Sequence, residues 1–279
     1  MIKISNSELS KFAQEHYEKL KSKITSFPTC KYTLKKVITA KPENLHEIAL
    51  LYKNNSNFDF MKTLYKNFAT KKQEYDAYDL AEKLKIDVCP YCNRNYTFTV
   101  KSVNGSTRPQ FDHFYDKDTY PILALSFYNL IPSCPTCNST MKGSTPFSIK
   151  THLHPYQESF NDHAKFALKI QNSSFYHSEN GFDVKIETKE PRALKMIDDF
   201  ALQTLYDQHK DIVLELIQKA EIYNDSYVDE LFNQYEGTLF KNREDLMRLI
   251  TCGYITDEEI NKRPLSKLIK DISEELELL

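Results

Sequence analysis

Hydrophobic residues recur at helical spacing through the first third of the chain. The pattern predicts three helices, over residues 5–25, 42–54 and 57–85. In the first of these, the residues placed on one face are Leu9, Phe12, His16 and Leu20, and Ser7 is placed as the N-cap. The chain is therefore predicted to begin with a helical region.

The pattern changes to a period of two after Val88. The residues that alternate with polar neighbours are Tyr96, Phe98 and Val100. This alternation predicts a strand, and Asn104-Gly105 is a turn signal directly after it. Residues 108–114 are then predicted to return as the second strand of the hairpin, so that the first cysteine pair lies at its mouth.

The rest of the chain combines one apolar segment, a second hairpin and more helices. Residues 121–131 form the most apolar run and are predicted to be core, and residues 136–142 are predicted to form a short helix after Pro135. Two alternating stretches within residues 165–188 predict the second hairpin. Helical spacing then returns over residues 193–223, 227–251 and 256–277.

These elements predict an α+β fold that is mostly α-helical. We expect a small core at residues 88–150, which carries the strands and the cysteine pairs, between two helical regions. The predicted divisions are residues 1–87, 88–150 and 151–279. The last region, with its hairpin, is expected to be a docking surface for a partner.

The composition and net charge of the chain limit the classes of protein to which it can belong. The chain has 279 residues and a net charge of -2, so no overall positive field attracts nucleic acid. Glycine is scarce, with 5 residues, which favours helices over a large sheet. No secretory signal opens the sequence and no apolar run is long enough to span a membrane. We expect a cytoplasmic protein that does not bind membranes, in which cysteines stay reduced.

Four cysteines stand in two Cys-x-x-Cys pairs, Cys89/Cys92 and Cys134/Cys137. Each pair can form a tight turn, called a knuckle below, that presents two thiolates, and the two knuckles can share one tetrahedral Zn²⁺. A proline, Pro90 or Pro135, follows the first cysteine of each pair. The alternatives are buried free thiols or a redox pair, although a thioredoxin-like βαβ pattern is missing. A four-thiolate site has no open coordination position, so this Zn²⁺ is predicted to be structural.

Polar residues near the knuckles are the candidates for chemistry. Asp112 and His113 point to opposite faces if they lie on a strand. Asn138 follows Cys137 directly, so the second knuckle fixes its direction. A carboxylate and an amide oxygen suit a hard cation such as Mg²⁺, and a neutral histidine can take a proton from water.

The segment resembles the HNH (ββα-metal) nucleases in the form that is bracketed by a four-cysteine zinc site. The resemblance lies in FDH at residues 111–113, in YNLIPSC around Asn129 and in CNSTMKG from Cys137, where Asn138 replaces a histidine. It implies that His113 is the general base and that Asp112 and Asn138 hold one catalytic Mg²⁺ or Mn²⁺. Asn129 would orient the loop that carries His113, and Lys142 would be either a phosphate contact or an exposed helix lysine.

Flanking segments resemble the HNH component of Septu-type antiphage systems. They include CPYCNRNY, the HPY at residues 154–156, LYDQHKDIVLELIQKAEIY and NKRPLSKLIKDI. The resemblance implies an ABC- or SMC-type ATPase as the protein partner. It also implies, for some members, a retron with its reverse transcriptase and DNA product.

The predicted function is metal-dependent hydrolysis of phosphodiester bonds, with DNA as the favoured substrate. RNA, including tRNA, stays open because the implied site contacts phosphate rather than sugar. An alternative from another class is a zinc-stapled module that binds nucleic acid or protein without catalysis. His152 and His154 could bind a metal, but we expect them to be structural.

Overall fold

The computed structural model describes residues 2–70 and 74–279. Its contacts group the chain into two compact units. The first comprises Lys3–Tyr91 and Tyr96–Ser159, and the second comprises Ile2, Cys92–Asn95 and Phe160–Leu279. The division of the chain at residues 87 and 150 stays a prediction. The architecture is α+β, and about half of the chain is helical.

Helices fill the beginning of the first unit. They are α1 (Leu9–Leu20), α2 (Leu34–Ile38), α3 (Pro42–Leu51), α4 (Phe60–Thr70) and α5 (Ala77–Leu84), with 3₁₀ turns at Lys21–Lys23 and Ser56–Phe58. Helices α1 and α3 lie within stretches predicted to be helical, and Phe12, His16 and Leu20 of the predicted face are buried. The residue at the N-cap of α1 is Glu8 and not Ser7.

The single helix predicted over residues 57–85 is wrong, because the chain forms α4 and then starts again at α5. Asp76 begins α5 with a capping box: its carboxylate accepts hydrogen bonds from Tyr78 N and Asp79 N, and the Asp79 carboxylate accepts one from Asp76 N. Such a cap defines a new helix start, which the periodic apolar pattern conceals. Residues 71–73 of the predicted helix lie outside the described residues.

The first hairpin is shorter than predicted. Strands β1 (Val100–Lys101) and β2 (Ser106–Thr107) pair antiparallel around the predicted Asn104-Gly105 turn, and Ser102 N donates to Gly105 O at 3.2 Å. Tyr96 and Phe98, which were predicted to belong to the strand, are 51% and 46% exposed. The alternation therefore does not mark a half-buried strand, because neither of these side chains enters the core.

The predicted pairing of residues 108–114 with that strand is also wrong. Strand β3 (Gln110–His113) pairs antiparallel with β4 (Leu130–Ser133), so that His113 lies opposite Leu130. Every residue of β4 is buried, and β4 begins at the end of the apolar run 121–131, which is buried throughout. That run is core, as predicted, and burial of apolar surface favours its pairing with β3 over pairing at the exposed β1.

A π-helix, Thr136–Lys142, follows β4 after Cys134 and Pro135. Its position confirms the short helix predicted over these residues. Its hydrogen bonds include one from Gly143 N to Asn138 O at 3.0 Å, five residues apart. The first unit thus contains two paired strands, β3 and β4, and a helix that begins shortly after β4. The 3₁₀ turns Pro121–Leu123 and Phe127–Asn129 lie in the connection between the strands.

The second unit contains the second predicted hairpin and further helices. Its strands are β5 (Ala164–Ile170) and β6 (Phe182–Thr188), which pair antiparallel and confirm the prediction for residues 165–188. Its helices are α6 (Pro191–Asp199), α7 (Leu202–Tyr206), α8 (Lys210–Ile222), α9 (Asp225–Tyr235), α10 (Arg243–Thr251) and α11 (Ser266–Glu275), and its 3₁₀ turns are Phe160–Asp162, Ser173–Tyr176, Glu179–Gly181 and Asp207–His209.

None of the three long helices predicted for this region forms over its full length. Ala201 and Leu265 have left-handed backbone conformations, with φ of 47° and 65°. The first separates α6 from α7, and the second stands immediately before α11, so the helix predicted over residues 256–277 starts only at Ser266. Neither residue is a glycine, so composition alone does not mark these breaks.

Side chains cover both edges of the β5–β6 hairpin. At the β5 edge, Phe166 N donates to the Asp271 carboxylate and Leu168 N to the Glu275 carboxylate, both at 2.8 Å. At the β6 edge, the Gln203 amide accepts from Ile186 N and donates to Val184 O. Helices α11 and α7 thus satisfy backbone groups that a two-stranded sheet would leave open. Separately, none of the helices within residues 2–70 and 74–279 combines the length and apolar character needed to cross a bilayer.

Candidate functional site

The four cysteines of the two knuckles form one buried cluster. The Sγ atoms of Cys89, Cys92, Cys134 and Cys137 all lie within 4.8 Å of one another, and each residue is at most 2% exposed. None of the four forms a disulfide. Four sulfurs around one Zn²⁺ at about 2.3 Å would be spaced about 3.8 Å apart, so the cluster fits a tetrahedral ion such as Zn²⁺.

Backbone amides surround these sulfurs. Arg94 N donates to Cys92 Sγ, Cys134 N to Cys89 Sγ and Cys137 N to Cys134 Sγ, each at 3.4 Å. Asn93, within the first knuckle turn, has a left-handed φ of 51°. Because thiolates accept hydrogen bonds, these amides stabilise the deprotonated form that binds a metal. In the described chain this is the one group of cysteine, histidine and acidic side chains placed to hold a metal ion.

Asp112 lies in β3 with both carboxylate oxygens engaged. Tyr91 Oη donates to Oδ2 at 2.7 Å, and Lys142 Nζ donates to Oδ1 at 2.9 Å. The residue is 2% exposed. Tyr91 stands inside the first Cys-x-x-Cys pair, so the knuckle positions the donor that holds this carboxylate.

Lys142 is buried and not an exposed helix lysine. It is 3% exposed at the end of the π-helix. Besides Asp112, its ammonium donates to His113 O at 2.8 Å and lies 5.0 Å from the centre of the Phe147 ring. The ammonium is therefore an internal partner of the Asp112-His113 segment. The sequence interpretation of Lys142 as a phosphate contact stays untested.

His113 projects away from Asp112, as the period of two in a strand predicts. Its ring packs edge-on against Tyr65 of α4, with centres 4.3 Å apart, and its Nε2 lies 2.9 Å from Ala124 O. A carbonyl only accepts, so Nε2 carries the proton and Nδ1 has a free lone pair. No hydrogen bond to Nδ1 comes from any described residue. Burial lowers the pKa of His113 to about 3, so the imidazole is neutral at pH 7.

Asn129 fixes the turn that leaves β3. It is fully buried, its Oδ1 accepts from Tyr115 N at 2.7 Å, and its Nδ2 donates to Tyr115 O and Leu123 O, both at 3.0 Å. Tyr115 follows His113 by two residues. The side chain therefore holds the backbone just beyond His113, at the position where the sequence placed a loop-orienting asparagine.

Asn138 lies on the same side of β3 as Asp112. Its Nδ2 donates at 2.8 Å to Oε1 of Gln110, which is two residues before Asp112 and shares its face. Within residues 2–70 and 74–279, the Oδ1 atom of Asn138 accepts no hydrogen bond. The carboxylate and the amide oxygen are hard ligands of the kind that Mg²⁺ or Mn²⁺ takes.

The fold thus brings four of the predicted residues together around β3, β4 and the π-helix. Asp112 and Asn138 lie on the face covered by the π-helix, His113 lies on the other face, and Asn129 stands before β4. Sequence reasoning did not single out Tyr91, Gln110 or Tyr65. The first two had a detectable signal, since Tyr91 lies within a knuckle and Gln110 has the period-two offset from Asp112. Tyr65 had none, because a contact between α4 and β3 is purely tertiary.

His152 and His154 are buried among aromatic rings. His152 stacks on Phe147 with ring centres 3.6 Å apart, and His154 lies 4.2 Å from the Phe114 ring. Burial lowers the pKa of His154 to about 3. Both residues are packed as the structural interpretation predicted.

A comparison of the chain with known protein-family models, curated proteins and solved structures found no match.

Proposed function

We propose that the chain is a metal-dependent endonuclease of the HNH (ββα-metal) type that hydrolyses phosphodiester bonds, preferentially in DNA. The observation that carries the proposal is the order of elements around the cysteine cluster. Strand β3 ends in Asp112-His113, β4 pairs with it, and the helix that follows the second knuckle carries Asn138. This arrangement combines a neutral imidazole and a carboxylate on β3 with an amide oxygen on the π-helix.

In the proposed reaction, His113 accepts the proton of the attacking water at Nδ1. The Ala124 carbonyl fixes the tautomer by holding the proton on Nε2, and Asn129 fixes the backbone beyond the strand. Because His113 is the last residue of β3, the proposal places the scissile phosphate at that end of the strand. Hydrolysis there would leave a 5′-phosphate and a 3′-hydroxyl.

Asp112 and Asn138 would hold one divalent cation. Their donor set fits such an ion, and the buried Lys142 ammonium beside Asp112 Oδ1 is evidence that this position accepts positive charge. When bound, Mg²⁺ or Mn²⁺ would stabilise the charge that develops on the phosphate and on the leaving oxygen. The four-cysteine cluster would hold Zn²⁺ and support the fold.

The substrate and partner proposals rest on charge and on the sequence resemblance. With a net charge of -2, the chain has little general attraction for nucleic acid, so a partner would supply part of the affinity. An ABC- or SMC-type ATPase is the proposed partner, with antiphage defence as the proposed role and a retron as a further proposed component. RNA, including tRNA, is the alternative substrate.

A zinc-stapled binding module without catalysis is the second candidate. The observation that favours it is the pairing of Asp112, whose two oxygens are both taken by Tyr91 and Lys142. A carboxylate that is fully satisfied inside the protein can be purely structural.

A nuclease assay with the purified chain tests the proposal. Wild type, His113→Ala and His177→Ala are incubated with plasmid DNA or total tRNA in Mg²⁺, Mn²⁺ or EDTA, alone and with the candidate ATPase. Removal of a general base typically costs ~10²–10⁴-fold in rate. We expect metal-dependent cleavage to fall by that amount in His113→Ala and to stay unchanged in His177→Ala, which alters an exposed histidine.

Thermal unfolding of each variant, followed by circular dichroism, separates loss of chemistry from loss of fold. Undiminished cleavage by folded His113→Ala would remove His113 from the role of base. Absence of cleavage under every condition, in folded zinc-loaded protein that still binds nucleic acid or the ATPase, would favour the binding module.

A further inference from the structure

Among residues 2–70 and 74–279, two lysine–aspartate pairs are almost completely removed from solvent. In the first unit Lys142 Nζ lies 2.9 Å from Asp112 Oδ1, with side chains 2% and 3% exposed. In the second unit Lys267 Nζ lies 2.7 Å from Asp271 Oδ2, with side chains 2% and 4% exposed. Buried charges of this kind are costly unless they are paired and hydrogen-bonded, so each ammonium depends on its aspartate partner.

The Lys267 pair holds elements of the second unit together. Asp271 also accepts from Phe166 N of β5, and Lys267 also donates to Asn161 Oδ1 at 2.8 Å. Both charged groups therefore belong to a hydrogen-bond network that joins α11 to β5 and to the 3₁₀ turn Phe160–Asp162. No residue of this network belongs to the proposed nuclease site.

The Lys142 pair lies inside that site. Its carboxylate belongs to Asp112, the proposed metal ligand, and its ammonium also donates to the backbone carbonyl of His113 at 2.8 Å. The lysine is the last residue of the π-helix, and Gly143, which follows it, has open space on its Cβ side.

We propose that Lys142 is an internal counter-ion that occupies the cation position at Asp112, so that a divalent ion binds there only when the ammonium leaves. This inference rests on the proposed function. Asp112 Oδ2 is held by Tyr91, which leaves Oδ1 as the oxygen for which the ammonium and a divalent ion compete.

The competition follows from electrostatics. An ammonium and a divalent cation at one carboxylate repel each other strongly where water is excluded. The metal-competent state is the one in which the Lys142 ammonium has moved away, and the apparent metal affinity is reduced by the fraction of molecules in that state. The ion pair thus keeps the site in a metal-free resting form.

The first test compares Mn²⁺ affinity in wild type, Lys142→Met and Lys267→Met by electron paramagnetic resonance of free Mn²⁺. Methionine keeps most of the side-chain volume and removes the charge. We expect Lys142→Met to bind Mn²⁺ at least tenfold more tightly than wild type. Lys267→Met, the matched buried lysine, should bind as wild type does, with the Zn²⁺ content the same in all three.

The second test uses wild-type protein, so it does not depend on the folding of a variant. Native protein is treated with an amine-acetylating reagent with and without saturating Mn²⁺, and lysine modification is quantified by peptide mass spectrometry. We expect Mn²⁺ to raise acetylation of Lys142 and to leave that of Lys267 unchanged in the same digest.

The outcomes separate this inference from the nuclease proposal. Equal Mn²⁺ affinity in wild type and Lys142→Met, or continued protection of Lys142 in Mn²⁺-saturated protein, overturns the counter-ion role and leaves a metal-dependent nuclease intact. If neither wild type nor Lys142→Met binds Mn²⁺, both the counter-ion role and the catalytic metal site are overturned.

Discussion

At the scale of single residues, the first unit depends on buried polar groups that are matched with specific partners. Asp112 has Tyr91 and Lys142, and Asn129 has two backbone groups of Tyr115 and one of Leu123. A buried polar group that loses its hydrogen-bond partner destabilises the folded state, because water cannot reach it to replace the bond. Substitution at these positions should therefore affect stability as well as any activity.

Asn129→Ala tests this at a fully buried residue whose side chain makes three hydrogen bonds to the backbone. The substitution leaves the N–H and C=O of Tyr115 and the carbonyl of Leu123 without a side-chain partner. We expect a loss of about 3 kcal/mol in the free energy of unfolding. Urea denaturation followed by circular dichroism measures it.

The control is Asn233→Ala, which alters an exposed residue of α9 and should change stability by about 0.5 kcal/mol or less. Equal stability of the two variants would contradict the role of Asn129 as the residue that fixes the turn beyond His113.

At the scale of elements, the two knuckles bracket β3 and β4. The first knuckle precedes β3 along the chain, and the second joins β4 to the π-helix. One ion would therefore link the two ends of the segment that contains β3 and β4. A two-stranded sheet is only marginally stable in water. Metal binding is therefore expected to contribute much of the stability of this part of the chain.

Cys134→Ser should remove one thiolate and weaken metal binding in the whole cluster. We expect less than one Zn²⁺ per chain, measured by elemental analysis, and a lower unfolding temperature by circular dichroism. Treatment of wild type with a strong chelator should lower its unfolding temperature in the same way.

Cys252→Ser is the matched control, since Cys252 is exposed and does not belong to the cluster. It should retain Zn²⁺ and the unfolding temperature of wild type. Full Zn²⁺ content and full stability in Cys134→Ser would show that the four sulfurs do not share a structural ion.

At the scale of the whole molecule, buried neutral histidines couple folding to pH. Burial lowers the pKa of His16 to about 4 and that of His154 to about 3, whereas an unfolded histidine titrates near 6.5. Below about pH 6.5 the unfolded chain therefore binds more protons than the folded one. Each histidine removes up to about 1.4 kcal/mol of stability per pH unit as the pH falls from there towards its folded pKa.

We expect the free energy of unfolding from urea titrations to fall between pH 7 and pH 5. His16→Gln should show a shallower fall, because glutamine does not titrate, while protonation of the cysteine thiolates contributes equally to both proteins. An identical pH dependence in wild type and His16→Gln would mean that His16 does not contribute.

The sequence by itself predicted the features that depend on local pattern. The knuckle spacing predicted the cysteine cluster, the alternation in residues 165–188 predicted β5 and β6, and the apolar run 121–131 predicted buried core. Each of these signals is local, because ligand spacing, strand period and apolar content can be read within one stretch. The start of α5 after its N-cap Asp76 was also encoded locally, but the apolar pattern hid it.

The tertiary structure alone decided which elements meet. It paired β3 with β4 and not with β1, because burial of the apolar β4 segment outweighs closeness in sequence. It also placed Lys142 against Asp112, whereas the sequence analysis expected either a phosphate contact or an exposed helix lysine. A charged side chain is buried only where a distant partner compensates its desolvation, and such a partner is not visible in the pattern around the residue itself.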